Sequence, residues 1–192
     1  MTDESSFGRR RLVAIGRSLA LVVCCVFVTW LPARADEAAL ARFYGSFEGE
    51  GLAESPKGET LQLTARTMSV RIGAADNGFE LVWSAVIWQG RESSNPTANR
   101  KTSRVVFEVI EGADFYVGRG SGNPAAGNPL WWARVDGDAL TVQVLTIDKR
   151  GRLDHQTYRR TLTAEGMELV YTREREGEVV RRVRGALARR SG

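Results

Sequence analysis

The decisive stretch of this chain is residues 79–88, FELVWSAVIW. A period of two residues runs through it, and this period is typical of a β-strand, in which successive side chains point to opposite faces. The face that carries Phe79, Leu81 and Trp83 is the more apolar one. We therefore predict that Trp83 points into the protein and that Trp88 lies near a rim.

The same alternation recurs along most of the chain. It runs through residues 140–144 and 167–171, and through residues 61–72, where it slips by one position near Arg66 and predicts a β-bulge. Turn signals such as Asp76-Asn77-Gly78 and Asp136-Gly137 separate the runs, as expected for hairpins. No convincing helix lies between these runs, so neighbouring strands are predicted to be antiparallel.

These patterns predict an all-β protein built as a single antiparallel up-and-down β-barrel of about nine or ten strands. A short N-terminal helix is predicted over Asp36–Phe43, with Asp36 as its cap. A two-sheet sandwich and an outer-membrane barrel are the alternatives. Charges on the second faces of the strands argue against a lipid-facing band: Arg71, Glu80, Glu108, Arg159 and Arg173.

The first 35 residues have the three zones of a cleavable signal peptide. Arg9-Arg10-Arg11 and Arg17 are basic, residues 18–31 are an apolar run of 14 residues, and Ala33-Arg34-Ala35 places the cut before Asp36. The apolar run is short for a membrane anchor, which needs about 20 residues. We expect a signal peptide at 1–35, a soluble domain at 36–192 and a periplasmic or secreted location. The arginine run leaves twin-arginine export open beside the general route.

Removal of this segment changes the charge and the cysteine content. The chain has 27 Lys and Arg and 23 Asp and Glu, and losing five arginines and two acids leaves 22 and 21. Nucleic-acid binding requires a sustained basic surface, so this class is disfavoured. Cys24 and Cys25 both lie in the apolar run, so the domain is expected to have no disulfide and no thiolate nucleophile.

The start of the predicted domain resembles the calycin superfamily, the lipocalin-like barrels. The helix at 36–43 precedes Gly45-Ser46-Phe47, which is similar to the Gly-x-Trp signature of the first lipocalin strand, with Phe47 in the place of the Trp. The resemblance implies a ligand-holding barrel. It also implies that a late arginine, Arg184 or Arg189, packs on the ring of Phe47 as a cation–π tether.

A second resemblance concerns haem. Residues 47–51, FEGEG, look like the aromatic-x-Gly-x-Gly stretch of nitrobindin-type haem barrels, which bind iron through a histidine on a late strand. This implies His155, the chain's single histidine, as a haem ligand. The alternative is that His155 is a solvated residue at the entry of a strand. The cofactor, if there is one, stays unknown.

No sequence cluster forms a catalytic motif. Residues 118–122, GRGSG, are followed by Asn-Pro and a strand rather than by the helix that a phosphate loop requires. The leading hypothesis is therefore a non-enzymatic barrel that binds a small amphipathic or lipid-like ligand. The candidate ligand-binding residues are Trp83, Trp132, Arg134, Tyr158 and Arg160. The alternative is an envelope structural or interaction protein whose barrel is filled by its own side chains.

Overall fold

The computed structural model describes residues 34–58, 60–87, 100–111 and 113–191. These residues form one short helix and ten antiparallel strands that close into a barrel in chain order, with β1 pairing β10. This confirms the predicted fold class. The elements are α1 Arg34–Ala41, β1 Gly45–Lys57, β2 Thr60–Ala75, β3 Gly78–Ile87, β4 Arg100–Val109, β5 Tyr116–Gly118, β6 Leu130–Asp136, β7 Ala139–Ile147, β8 Leu153–Leu162, β9 Gly166–Arg175 and β10 Glu178–Arg190.

Several predictions made from the sequence fall outside these residues or differ in detail. The body of the predicted signal peptide and Trp88 lie outside the described residues. The helix begins at Arg34, so Asp36 is its third residue and does not cap it.

The barrel has two ends, because consecutive antiparallel strands turn at alternate ends. The end that carries the β1–β2, β7–β8 and β9–β10 turns is called the upper end. The end that carries α1 and the β2–β3, β6–β7 and β8–β9 turns is called the lower end. The β9–β10 turn is tight, with Glu176 at φ 52° and Gly177 at φ 83°, the left-handed pair of a two-residue hairpin.

The lower half of the barrel is filled by aromatic and aliphatic side chains. Phe79 and Phe107 stack with ring centroids 4.9 Å apart, and Tyr116 meets Phe79 edge-on at 5.2 Å. Leu40 and Phe43, at the end of α1 and just after it, are buried in the same cluster. Each fully buried Phe stabilises the fold by about 2–3 kcal/mol, so this half supplies the main core.

The predicted bulge near Arg66 is absent from β2. Residues 60–72 of β2 pair with β1 without a register shift, and the described pairs with β3 are equally regular. Met68, Val70 and Ile72 are buried in the interior, whereas Leu61 and Leu63 lie on the outer face and are each 56% exposed. The slip in the apolar pattern near Arg66 therefore reflects a change in which face of β2 is apolar, along a strand that is itself regular. A register irregularity does occur in β10, between Val179 and Arg181.

An arginine clamp ties the end of the chain to its first strand. The guanidinium of Arg189 lies 4.5 Å from the ring centroid of Phe47. Its Nη1 donates to the Tyr44 carbonyl at 2.6 Å and its Nη2 to the Arg42 carbonyl at 2.9 Å. Of the two arginines expected at this position it is therefore Arg189 that packs on Phe47, while Arg184 is exposed on the opposite face of β10.

The clamp generates a stability prediction. Arg189→Ala removes a cation–π contact and two charge-assisted hydrogen bonds, and should lower the free energy of unfolding by about 1–3 kcal/mol. Arg190→Ala is the matched control, because it removes only an exposed ion pair with Glu48 and should cost less than about 1 kcal/mol. Urea unfolding of both variants measures the difference. Equal losses would show that the clamp contributes nothing special.

Candidate functional site

The upper half of the barrel contains a cavity of about 250 Å³. Its apolar lining comes from Met68, Val70, Leu169 and Val183, which follow the inward alternation of their strands. The volume is close to the lower end of the range for small-molecule sites, about 300–1,000 Å³. It suits a small ligand, or one end of a longer one.

Aromatic rings form one wall of the cavity. Trp83 packs against Tyr158 at 5.5 Å and against Trp131 at 5.9 Å, and Tyr158 packs against Tyr171 at 4.6 Å between ring centroids. Both tyrosine hydroxyls donate to Oε1 of Gln156, at 3.2 and 3.0 Å. Burial raises the pKa of both phenols, so they are neutral donors at physiological pH.

Four cationic residues line the cavity toward the upper end: Arg66, Lys101, Arg173 and Arg181. Burial, and then repulsion from Arg181, lowers the pKa of Arg66, and its Nε is buried with no hydrogen-bond partner among the described residues. Arg181 donates from Nε to the Ser55 hydroxyl at 3.1 Å. Within the described part of the chain, neither Arg66, Lys101 nor Arg181 forms an ion pair with a carboxylate.

One carboxylate, Asp154, balances part of this charge. Arg173 donates from Nε to both Asp154 oxygens at 2.9 Å, and Arg175 donates from Nη2 at 3.1 Å. Burial alone would raise the pKa of Asp154, but these hydrogen bonds outweigh it and the pKa lies below its usual value. Asp154 therefore stays ionised and offsets one of the two positive charges of Arg173 and Arg175, which leaves the other cations of the cavity uncompensated.

Arg160 lies deeper in the interior and is completely buried. Its guanidinium carbon is 5.9 Å from the Trp83 ring and 5.5 Å from the Tyr158 ring, and these are two of the residues that line the cavity. Nε and Nη1 have no hydrogen-bond partner within the described residues. Desolvation lowers the pKa of Arg160 to about 10, so the side chain is still a cation at neutral pH.

A buried guanidinium without a carboxylate is costly, because the aromatic faces compensate only part of the lost hydration. Cross-strand neighbours of Arg160 are Leu140 and Leu169, whose side chains offer no acceptor. The arrangement fits an interior that receives an anionic group.

The five residues proposed from the sequence divide into two groups. Trp83, Tyr158 and Arg160 come together inside the barrel, where the alternation of β3 and β8 places them. Trp132 and Arg134 lie on the outer face and do not line the cavity. Trp131 shares the inward face of β6 with the buried Ala133, so its neighbour Trp132 faces outward. Arg134 is exposed and pairs with Asp114 at 3.0 Å. Ligand binding by these five residues stays a prediction.

His155 also lies on the outer face. Its ring stacks on Trp132 with centroids 5.9 Å apart and an interplanar angle of 6°. Nε2 is 3.0 Å from Oε1 of Gln143, and Nδ1 is 3.7 Å from a Glu174 oxygen. A haem held inside the barrel by His155 does not fit this placement, because the imidazole points away from the interior and both its nitrogens have neighbours.

The sequence reasoning missed several residues that line the cavity: Arg66, Lys101, Tyr171, Arg173 and Arg181. Arg173 was taken as an outward charge, although it is two positions beyond Tyr171 and so shares its inward face. Extending the alternation Met167, Leu169, Tyr171 by one step would have found it. The step was not taken because a charged residue breaks the apolar pattern that marks an inward face.

Two features of the described residues bear on other classes of function. No three His, Cys, Asp or Glu side chains cluster there as a metal site would require. None of the helices in this part of the chain is both long and apolar enough to cross a membrane.

Comparison with known proteins identifies no family for this chain. No family model matches this chain, and neither does any curated protein. The chain is similar to the crystal structure of a protein of unknown function from the DUF3598 family of Nostoc punctiforme PCC 73102, with a TM-score of 0.47 and 14% sequence identity. The match covers 79% of this chain and 49% of that protein, so this chain spans about half the length of its neighbour. It assigns no chemistry to the site.

The unpaired charge of Arg160 generates a prediction about stability. In ligand-free protein, Arg160→Met should raise the free energy of unfolding by about 1–4 kcal/mol, because a thioether of similar reach replaces a desolvated cation. Arg159→Met is the matched control on the exposed face of the same strand, and should change stability by less than about 0.5 kcal/mol. Urea unfolding measures both. A destabilised Arg160→Met protein would show that the guanidinium has a favourable role in the fold itself.

Proposed function

We propose that this protein is an exported, non-enzymatic, lipocalin-like barrel that binds a small amphipathic anion in its upper cavity. The observation that supports this most directly is the composition of the cavity. Uncompensated Arg66, Lys101 and Arg181 lie at its upper side, and aromatic and aliphatic side chains form the remainder. An acidic head group and an apolar tail match these two parts.

The chemistry of the cations favours an oxyanion head. Arginine presents a planar fork of donors that pairs with carboxylate or phosphate oxygens, and such charge-assisted bonds are about twice as strong as neutral ones. Arg66 has a buried donor without a partner, so binding an anion there would satisfy a group that the protein alone leaves unsatisfied. The tail would contact Met68, Val70 and the ring of Trp83.

The second candidate is a structural or interaction protein with a filled barrel. The filled lower half of the interior favours this candidate, because the side chains packed there are fully buried: Phe43, Phe47, Phe79 and Phe107. The two candidates differ only in whether the upper cavity accepts a ligand.

A matched pair of ligands tests the proposal. Decanoate should stabilise the protein in a thermal-shift titration and quench tryptophan fluorescence, whereas decanol, which has the same tail and no charge, should bind at least about tenfold more weakly. The double variant Arg66→Gln/Arg181→Gln should lose roughly tenfold in affinity for decanoate and little for decanol. Arg184→Gln, on the outer face of β10, is the control.

The outcomes separate the candidates. Equal binding of decanoate and decanol would contradict an anion site, and failure of both, together with failure of decyl phosphate, would support the filled-barrel alternative. Isothermal titration calorimetry of each variant gives the affinities.

Export has its own test. Mass spectrometry of the protein expressed with its natural N-terminus in a bacterium should find a mature chain that begins at Asp36, in the periplasm or the medium. This cut leaves Leu40 and Phe43, which are buried in the lower core, attached to the domain. An intact N-terminus in the membrane fraction would contradict the proposal of a cleaved signal.

A further inference from the structure

At the upper end, β1 and β2 stay paired with each other beyond the described pairs that each makes with its other neighbour. In the described residues, β1 pairs with β10 as far as Glu54 and β2 pairs with β3 as far as Arg66. Beyond these points, residues 55–57 and 60–65 pair with each other. Six residues of extended chain rise by about 20 Å, so β2 continues about that far past its last described pair with β3, while β10 continues to Glu178 beside the end of β1.

The outer face of this hairpin is mostly apolar, with Glu54 as an acidic residue opposite Leu63. Leu61 and Leu63 are each 56% exposed and Leu52 is 42% exposed, and Pro56 and Ala65 are exposed on the same face. We call these five residues the apolar arm. Neighbouring exposed leucines on one hairpin differ from the isolated apolar residues of an ordinary surface, and such patches usually mark an interaction site.

Charge is divided between the two ends of the barrel. At the upper end, exposed Arg100 and Lys101 begin β4, and exposed Lys149 and Arg150 form the β7–β8 turn. Two of the acids described there pair with arginines, Asp148 with Arg152 at 2.6 Å and Asp154 with Arg173, while Glu54, Glu174, Glu176 and Glu178 form no ion pair with Lys or Arg among the described residues. The cations of this end, which also include Arg66 and Arg181, still outnumber these acids.

The lower end is more acidic than the upper end at its turns, although exposed Arg189 and Arg190 also lie there and Arg42 pairs with Asp138. Its turns carry exposed Asp76, Asp136, Asp138 and Glu165. A negatively charged surface would therefore attract the upper end and repel the lower end, and so would orient the barrel as it approaches.

The geometry points to an anionic lipid bilayer as the partner of the upper end, with the apolar arm inserted among the acyl chains and the flanking cations on the head groups. A bilayer combines the two properties that this end matches: an apolar layer for leucines and a negative surface for Lys and Arg. A second copy of the chain would meet the same cations and suffer repulsion. This inference goes beyond ligand binding, because it would hold even if the cavity were empty.

Vesicle flotation tests the inference on the protein as purified after export. The protein should bind vesicles of phosphatidylglycerol mixed with phosphatidylcholine, and binding should weaken as salt is raised, because the head-group attraction is screened. Vesicles of phosphatidylcholine alone should bind at least about tenfold more weakly, since each cation near an anionic surface contributes separately.

Two double variants distinguish the contribution of the apolar arm to vesicle binding from that of other exposed apolar side chains. Leu61→Ser/Leu63→Ser should reduce binding to the anionic vesicles by roughly tenfold or more. Ile110→Ser/Phe115→Ser removes exposed apolar side chains of 42% and 37% exposure at the lower end and should leave binding unchanged. All variants share one N-terminus, so any contribution from the segment before residue 34 cancels. Circular dichroism confirms that each variant is folded.

The result that would overturn the inference is equal vesicle binding by Leu61→Ser/Leu63→Ser and the unchanged protein. If that variant instead converts a dimer to a monomer in light scattering, the arm is occupied by a second copy and the bilayer assignment is wrong. Decanoate binding in solution is measured separately. Its retention in a protein that does not bind vesicles would reject the docking surface and leave the proposed function intact.

Discussion

The pairing of β1 with β10 turns a ten-strand meander into a closed wall, and this closure decides what every inward side chain meets. In an open sheet, alternate residues can face solvent on both sides, but inside a barrel they share one enclosure. Four arginines occupy inward positions of their strands: Arg66, Arg160, Arg173 and Arg181. The fold therefore places cations in a space that aromatic rings partly shield from water. The Arg189 clamp on Phe47 reinforces this closure at the lower end.

The interior is therefore divided along its axis by chemistry. Below, stacked phenylalanines supply the core that holds the strands together, and above, the strands surround a cavity whose cations outnumber its carboxylates. Arg160 lies deep in the interior, against Trp83 and Tyr158. A sequence selected only for stability would place an apolar residue at this position, because a desolvated and unpaired guanidinium works against folding. The proposed anion site would account for this cost.

The arginine clamp followed from the family resemblance, which left Arg184 and Arg189 open. Alternation in the sequence was enough to predict the barrel and the inward position of Trp83, and it placed Tyr158 and Arg160 on one shared face. It failed at positions where the polarity of a side chain does not indicate whether that side chain faces inward or outward. Leu61 and Leu63 are apolar and face outward, since they occupy outward positions of the regular alternation of β2; Arg173 is charged and faces inward, where Asp154 pairs with it. Between Trp131 and Trp132, composition gave no preference, and only the strand register separates them.

The outward leucines and the inward arginines, at which the alternation pattern failed, are also positions where the residue type does not favour folding. An outward leucine gains nothing from the core, and an inward arginine loses hydration, so both positions need a reason outside the folded chain. Both kinds of position occur at the upper end of the barrel. The leucines are exposed there on the β1–β2 hairpin, and the cations line the cavity toward the same end. A bilayer that received the arm would bring that end of the cavity to the source of amphipathic anions. Docking and binding would then be successive steps on one surface, with the acidic lower end directed away from the lipid.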